Sequence, residues 1–141
     1  MSAKTFLDTN VLVYLFDNDE QVKQECAREI FDDAEPGELV LSTQVLSEFY
    51  VTVTRKLAQP LEPALAAEAV DWFGLLNVIS TDTALVKSAI QVSRVSHISY
   101  WDGLVVAAAT RAGCQCLLTE DLNDGQRFGS VQIENPFRDP V

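Results

Sequence analysis

Short apolar runs alternate along this chain with segments long enough for helices, and that alternation limits the fold more than any other feature. The runs are Thr5–Leu7, Glu38–Leu41, Leu76–Ile79, Gln115–Leu118 and, last, Val131–Ile133. Strands that alternate with helices and helix pairs predict an α/β protein with a central, mainly parallel sheet covered on both faces. Between the strands, Val11–Phe16 is apolar on nearly every side, as a buried helix start would be. Asp19–Asp33 reads as a polar helix with Val22, Cys26, Ile30 and Phe31 on one side, closed by the Pro36-Gly37 break. Over Thr43–Leu57, the spacing of Leu46, Phe49, Tyr50, Val53 and Leu57 is that of a strongly amphipathic helix. Pro63 suits the first turn of a helix running to about Phe73. Asp82–Val95 and Ser99–Ala112 complete the helices, the latter ended by Gly113.

The 141 residues fit one domain spanning 1–141, with 48% hydrophobic and 22% charged residues, an ordinary globular balance. No apolar run approaches the roughly 18 residues of a membrane span, and Met1-Ser2-Ala3-Lys4 leads straight into a strand instead of a signal peptide. Cys26, Cys114 and Cys116 are an odd, low count read as buried thiols, so a cytosolic (cytoplasmic) setting is expected. The net charge of −11, from 21 acids against 10 bases, opposes non-specific attraction to nucleic acid. It favours a basic protein partner, and it makes any activity on nucleic acid depend on metal.

Four carboxylates lie where a strand or loop hands over to a helix, or on the helix that follows: Asp8, Glu48, Asp102 and Asp121, with Asp124 close behind. Strand ends on one edge of a parallel sheet share a crevice, and acids gathered there repel one another unless a cation joins them. Each acid also has a plainer reading. Asp8-Thr9-Asn10 offers three good helix caps, and Asn10 could cap or contact a ligand. Ser99-Tyr100-Trp101-Asp102 fits a capping box with Asp in place of Glu, and its aromatic pair reads as core. Glu48 points almost opposite the Leu46–Phe49–Tyr50–Val53 stripe, so periodicity alone places it on a solvated face. Asp121 and Asp124 flank a turn, and Glu120 beside them reads as exposed and idle. His97, the only histidine, has no nucleophile elbow near it. Among the bases, Arg127 is the best candidate for a phosphate contact; Arg55, Lys56 and Arg111 read as solvated or ion-paired.

Taken in order, these segments resemble a family. Asp8-Thr9-Asn10-Val11-Leu12, Glu48-Phe49, Tyr100-Trp101-Asp102 and Leu118-Thr119-Glu120-Asp121-Leu122-Asn123-Asp124-Gly125-Gln126 are together similar to the PIN domain, specifically to VapC-type toxins of toxin–antitoxin pairs. Asn135-Pro136-Phe137 fits that group too. The resemblance implies a PIN-like α/β/α sandwich and a Mg²⁺- or Mn²⁺-dependent endoribonuclease. It also implies a homodimer held inactive by an antitoxin with a basic segment. It carries Asp8, Glu48, Asp102 and Asp121 over as the core acids, with Asp124 in a more variable stretch, and it turns the Glu48 face toward the cleft. Oxygen ligands without His or Cys fit Mg²⁺ or Mn²⁺ better than zinc. Two rival readings fit the same acids. One is a phosphatase using Asp8 as phosphoacceptor, which a second Asp at the position of Asn10 would favour. The other is a non-catalytic acidic module gripping a basic partner.

Overall fold

A computed structural model describes residues 3–138. Six strands form one sheet in the order β3-β2-β1-β4-β6-β5. Here β1 is Thr5–Leu7, β2 Leu39–Ser42, β3 Asn77–Ile79, β4 Cys116–Leu118, β5 Arg127–Phe128 and β6 Val131–Glu134. All pairings are parallel except β5 with β6. The expected mainly parallel α/β architecture is therefore present, with one strand added. β5 is only two residues long and pairs antiparallel with β6, so its residues carry no periodic signal to read.

The helices are α1 (Thr9–Tyr14), α2 (Gln21–Asp33), α3 (Thr43–Arg55), α4 (Pro63–Phe73), α5 (Thr83–Ser96) and α6 (Tyr100–Arg111). α1 packs on α2 and α3, and α3 on α4; α5 and α6 form a second packed pair. Phe6, Leu7 and the whole of β2 are buried, as strands covered on both faces must be. Phe16, Phe31, Phe49 and Phe73 form a chain of ring contacts under α1–α4, with centroids 5.2 to 6.4 Å apart. No helix among the described residues is long and apolar enough to cross a membrane.

Two helix faces differ from the periodicity reading. On α2, Val22 is 84% exposed, while Gln24 and Ala27 are buried. The polar Gln24 goes inside because its amide donates to the Leu15 carbonyl and to Asn18 Oδ1, tying α2 to the end of α1. On α3 the buried residues are Val45, Phe49 and Val53, and Tyr50 is exposed. Removing Tyr50 from the stripe and adding Val45 rotates the buried face by roughly 60° at about 100° per residue. Glu48 then lies on the flank of the buried face instead of opposite it. The turn at Gly103 is equally specific: a Cβ there would meet the Ala89 carbonyl oxygen at 2.7 Å, so α5 and α6 approach closely only because this residue has none.

Candidate active site

The parallel sheet sets the site. From β1 the chain moves outward to β2 and β3, then returns to β4 on the other side of β1, so a crevice opens at the carboxyl ends of β1 and β4. Asp8 ends β1 and its backbone N–H donates to the Leu118 carbonyl of β4 at 3.1 Å. Only 5% of Asp8 is exposed. Its Oδ1 accepts from Thr9 N at 2.7 Å, the helix-capping bond, and its Oδ2 accepts from Thr119 Oγ1 at 2.7 Å. Capping and site geometry coexist in this residue. Burial pushes the Asp8 carboxyl up to about 7, against the lowering effect of those two bonds, and the charges of Asp121 and Glu48 push the same way.

Glu48 reaches the cleft from the flank of α3. Its Oε2 accepts from Thr9 Oγ1 at 3.2 Å and its Oε1 from Gln44 Nε2 at 2.6 Å. Asp102 lies in the first turn of α6, whose cap Ser99 accepts from the Asp102 N–H at 3.0 Å, as the capping reading expects. Partial burial raises the Asp102 carboxyl, the Ser99 bond opposes this, and Glu48 adds to the rise. Trp101 beside it is 62% exposed, not core, while Tyr100, to which its ring stands edge-on, does pack against the core. Asp121 follows β4, and its Oδ2 accepts from Asn10 Nδ2 at 3.2 Å. Its carboxyl is also raised, by partial burial and then by Asp102 and Glu120.

The structure thus brings Asp8, Glu48, Asp102 and Asp121 into one field of mutual repulsion. Asp124 stands apart from it. Its Oδ1 accepts from Asn135 N at 2.8 Å and its Oδ2 pairs with Arg138 at 3.0 Å, so both oxygens serve the chain's closing segment. Glu120, read as idle, is partly buried: Tyr14 donates to it, and Lys23 pairs with it at 3.1 Å and with the Tyr14 oxygen at 3.1 Å. Lys23 sits on α2, far off in sequence, which is why no local pattern showed it. Arg127 lies on β5 and donates to Gln132, along the sheet edge; Arg111 pairs with Asp82. His97 is exposed, closing α5 in a left-handed conformation with φ 56°. The three cysteines are free; Cys114 is buried, while Cys26 and Cys116 are partly so.

The donor set of the cleft is all oxygen, the set of a hard divalent cation. Two further oxygens fit that requirement: Asn10 Oδ1 and Gln44 Oε1 are buried without a hydrogen-bond partner. Among the described residues no three acidic side chains yet close on a single point where an ion could sit. Three of the carboxylates are instead held around the cleft by Thr9, Thr119, Asn10 and Gln44, and Ser99 caps the helix that carries Asp102.

The PIN domain profile matches residues 5–127, which takes in all four acids and the sheet from β1 to β4. The chain belongs to the PIN domain family. Solved PIN-fold structures agree. A toxin–antitoxin complex from Klebsiella pneumoniae superposes with a TM-score of 0.71 at 17% identity, covering 95% of this chain and 98% of that one. The DNA-bound VapBC of Salmonella typhimurium gives 0.66 at 23%, covering 96% and 99%. The sarcin–ricin loop cleaving toxin VapC20 of Mycobacterium tuberculosis gives 0.66 at 22%, covering 81% and 87%. At such identities the likeness is one of fold. No curated protein sequence matches significantly.

Proposed function

We propose that this PIN domain protein is a Mg²⁺- or Mn²⁺-dependent endoribonuclease and the toxin of a toxin–antitoxin pair. The observation that carries the reading is a buried Asp8, its carboxyl pushed up to about 7, in a crevice it shares with Glu48, Asp102 and Asp121. No basic side chain is bonded to any of the four among the described residues. Such an arrangement is costly in the empty protein and is offset when a cation arrives. Asp8, Asp102 and Asp121 would hold the ion, with Glu48 direct or through water. A divalent ion bound there supplies Lewis acidity and positive charge for phosphodiester hydrolysis.

The chain's own residues orient and exclude. Thr119 and the Thr9 N–H lock Asp8 in one rotamer, Asn10 steadies Asp121, and Gln44 with Thr9 steadies Glu48. The hydroxyls of Thr119 and Thr9 are engaged with Asp8 and Glu48, and His97 closes α5 at the surface, so the reading takes water as the attacking group. A phosphoacceptor role for Asp8 is disfavoured, because Asn10 stands where a second aspartate would support it. With −11 overall charge, RNA approaches a metal-loaded cleft far more readily than an empty one.

The partner reading has separate support. The solved relatives include antitoxin complexes. On this chain an apolar groove of about 650 Å³ between α2 and α4 is lined by Phe16, Phe31, Leu65, Trp72 and Phe73, with Asp32 and Glu68 outnumbering the single base Arg28 among its charged residues. It suits an amphipathic antitoxin segment with basic flanks. Exposed Ile90, Val95 and Trp101 on α5 and α6 offer apolar surface to a second copy of the chain. The deciding experiment is cleavage of total RNA with and without Mn²⁺, with end mapping. Metal-dependent 5′ and 3′ ends at defined sites support the reading, and Asp8→Asn should abolish them. Cleavage unaffected by Asp8→Asn would sink it.

A further inference from the structure

We propose that Gln44 is a positioning residue for Glu48, holding that carboxylate in the cleft against the repulsion of its neighbours. This rests on the metal-dependent reading of the site. Gln44 lies one turn before Glu48 on α3, so the two share a helix face. Its Nε2 donates to Glu48 Oε1 at 2.6 Å and to the Trp101 carbonyl at 3.4 Å. Both acceptors demand the NH₂ end of the amide, so the atom turned away is necessarily oxygen. That oxygen is buried without a partner, so the amide is fixed by its two donated bonds alone.

Without Gln44, Glu48 keeps one restraint, the Thr9 hydroxyl at 3.2 Å. Asp8 and Asp102 both lie close enough for Glu48 to raise their carboxyl groups, so their charges push on it in return. A flexible three-rotor side chain under that push leaves the cleft unless something holds it. Gln44 does so. Through the Trp101 carbonyl it also ties Glu48 to the peptide unit that leads into Asp102, so one amide spans α3 and the start of α6. Asn10 shows the same arrangement across the cleft: its Nδ2 donates to Asp121 and Thr119, and its Oδ1 is buried and unpartnered.

The test is Mn²⁺ binding by calorimetry on the full chain, in the wild type, Gln44→Met, Glu48→Gln and the double variant, with Ser47→Ala as a control on the exposed face of α3. Thermal melting in chelator establishes that each variant folds; if Gln44→Met does not, Gln44→Asn takes its place in the cycle. The expected result is about a tenfold weaker Mn²⁺ affinity in Gln44→Met and none of this loss in Ser47→Ala. The double variant should then bind within about twofold of Glu48→Gln alone, because Gln44 acts through Glu48. Unchanged affinity in Gln44→Met, or losses that simply add in the double variant, overturns the proposal while leaving the nuclease reading intact. A wild-type protein that binds no Mn²⁺ overturns that reading, and this proposal with it.

Discussion

Within six residues after β4, acids of one chemistry meet opposite fates. Glu120 and Asp124 each have a cation, Lys23 and Arg138, and each anchors a distant part of the chain. Asp121 between them has an amide, Asn10, and faces further acids. The difference teaches that a carboxylate's role here is set by what faces it, not by its place in a loop. Where a base arrives, the acid is structural. Where none does, the charge stays unsatisfied, and the cleft keeps an appetite for an external cation.

The strongest way to break this contrast is Asp8→Asn. RNA cleavage should fall by about 10²–10³-fold or more, measured by gel assay at saturating Mn²⁺. The same substitution should raise the melting temperature of the metal-free protein at pH 8, because it removes an unpaired buried charge. Unaltered melting there would mean that Asp8 is not strained in the empty cleft.

A pH series sharpens the same point. The folded Asp8 carboxyl stands near 7 and its unfolded value at 3.8, so between those values the folded state holds the extra proton. Its stabilising contribution is therefore complete below about pH 4, declines as pH rises, and is gone above about pH 7. Chemical denaturation in chelator should show this decline, by a few kcal/mol at most given the roughly 1.4 kcal/mol per pKa unit. Asp8→Asn should flatten it, and saturating Mn²⁺, which binds the ionised carboxylate, should reverse it. A metal-free stability that climbs over this range would contradict the burial argument.

Away from the acids, Gly103→Ala should cost about 1–3 kcal/mol by urea unfolding, since the added methyl meets the Ala89 carbonyl at 2.7 Å. The smallest effect belongs to the paired side of the contrast. Asp124→Asn should leave cleavage within about twofold and lower stability by at most about 1 kcal/mol, the scale of a partly exposed ion pair. A loss of cleavage comparable to Asp8→Asn would return Asp124 to the ligand set.

The sheet was legible because its strands are apolar and its crossovers helical, and so were the helix starts at Asp8 and Ser99, whose caps form as their residue types require. The face of Glu48 was not legible. Tyr50 counted as apolar in the stripe, but its ring can lie at the surface, and only packing against α1 and α4 shows that Val45 takes the inner position. Trp101 misled for a similar reason, since an aromatic at a helix start is as stable over a cleft as under one. Lys23 and Arg138 were beyond any local pattern, because their partners lie 97 and 14 residues away in the chain. Gln44 was visible in principle as the i−4 neighbour of Glu48, but a polar residue on a face taken as solvated gives no reason to look.

The chain's closing segment has a mechanical side. Phe137 rests edge-on against Tyr14 with ring centroids 4.8 Å apart, and Tyr14 bonds Glu120, the residue just before Asp121. Losing Phe137 would thus unseat Tyr14 and, through Glu120, loosen the peptide that carries Asp121.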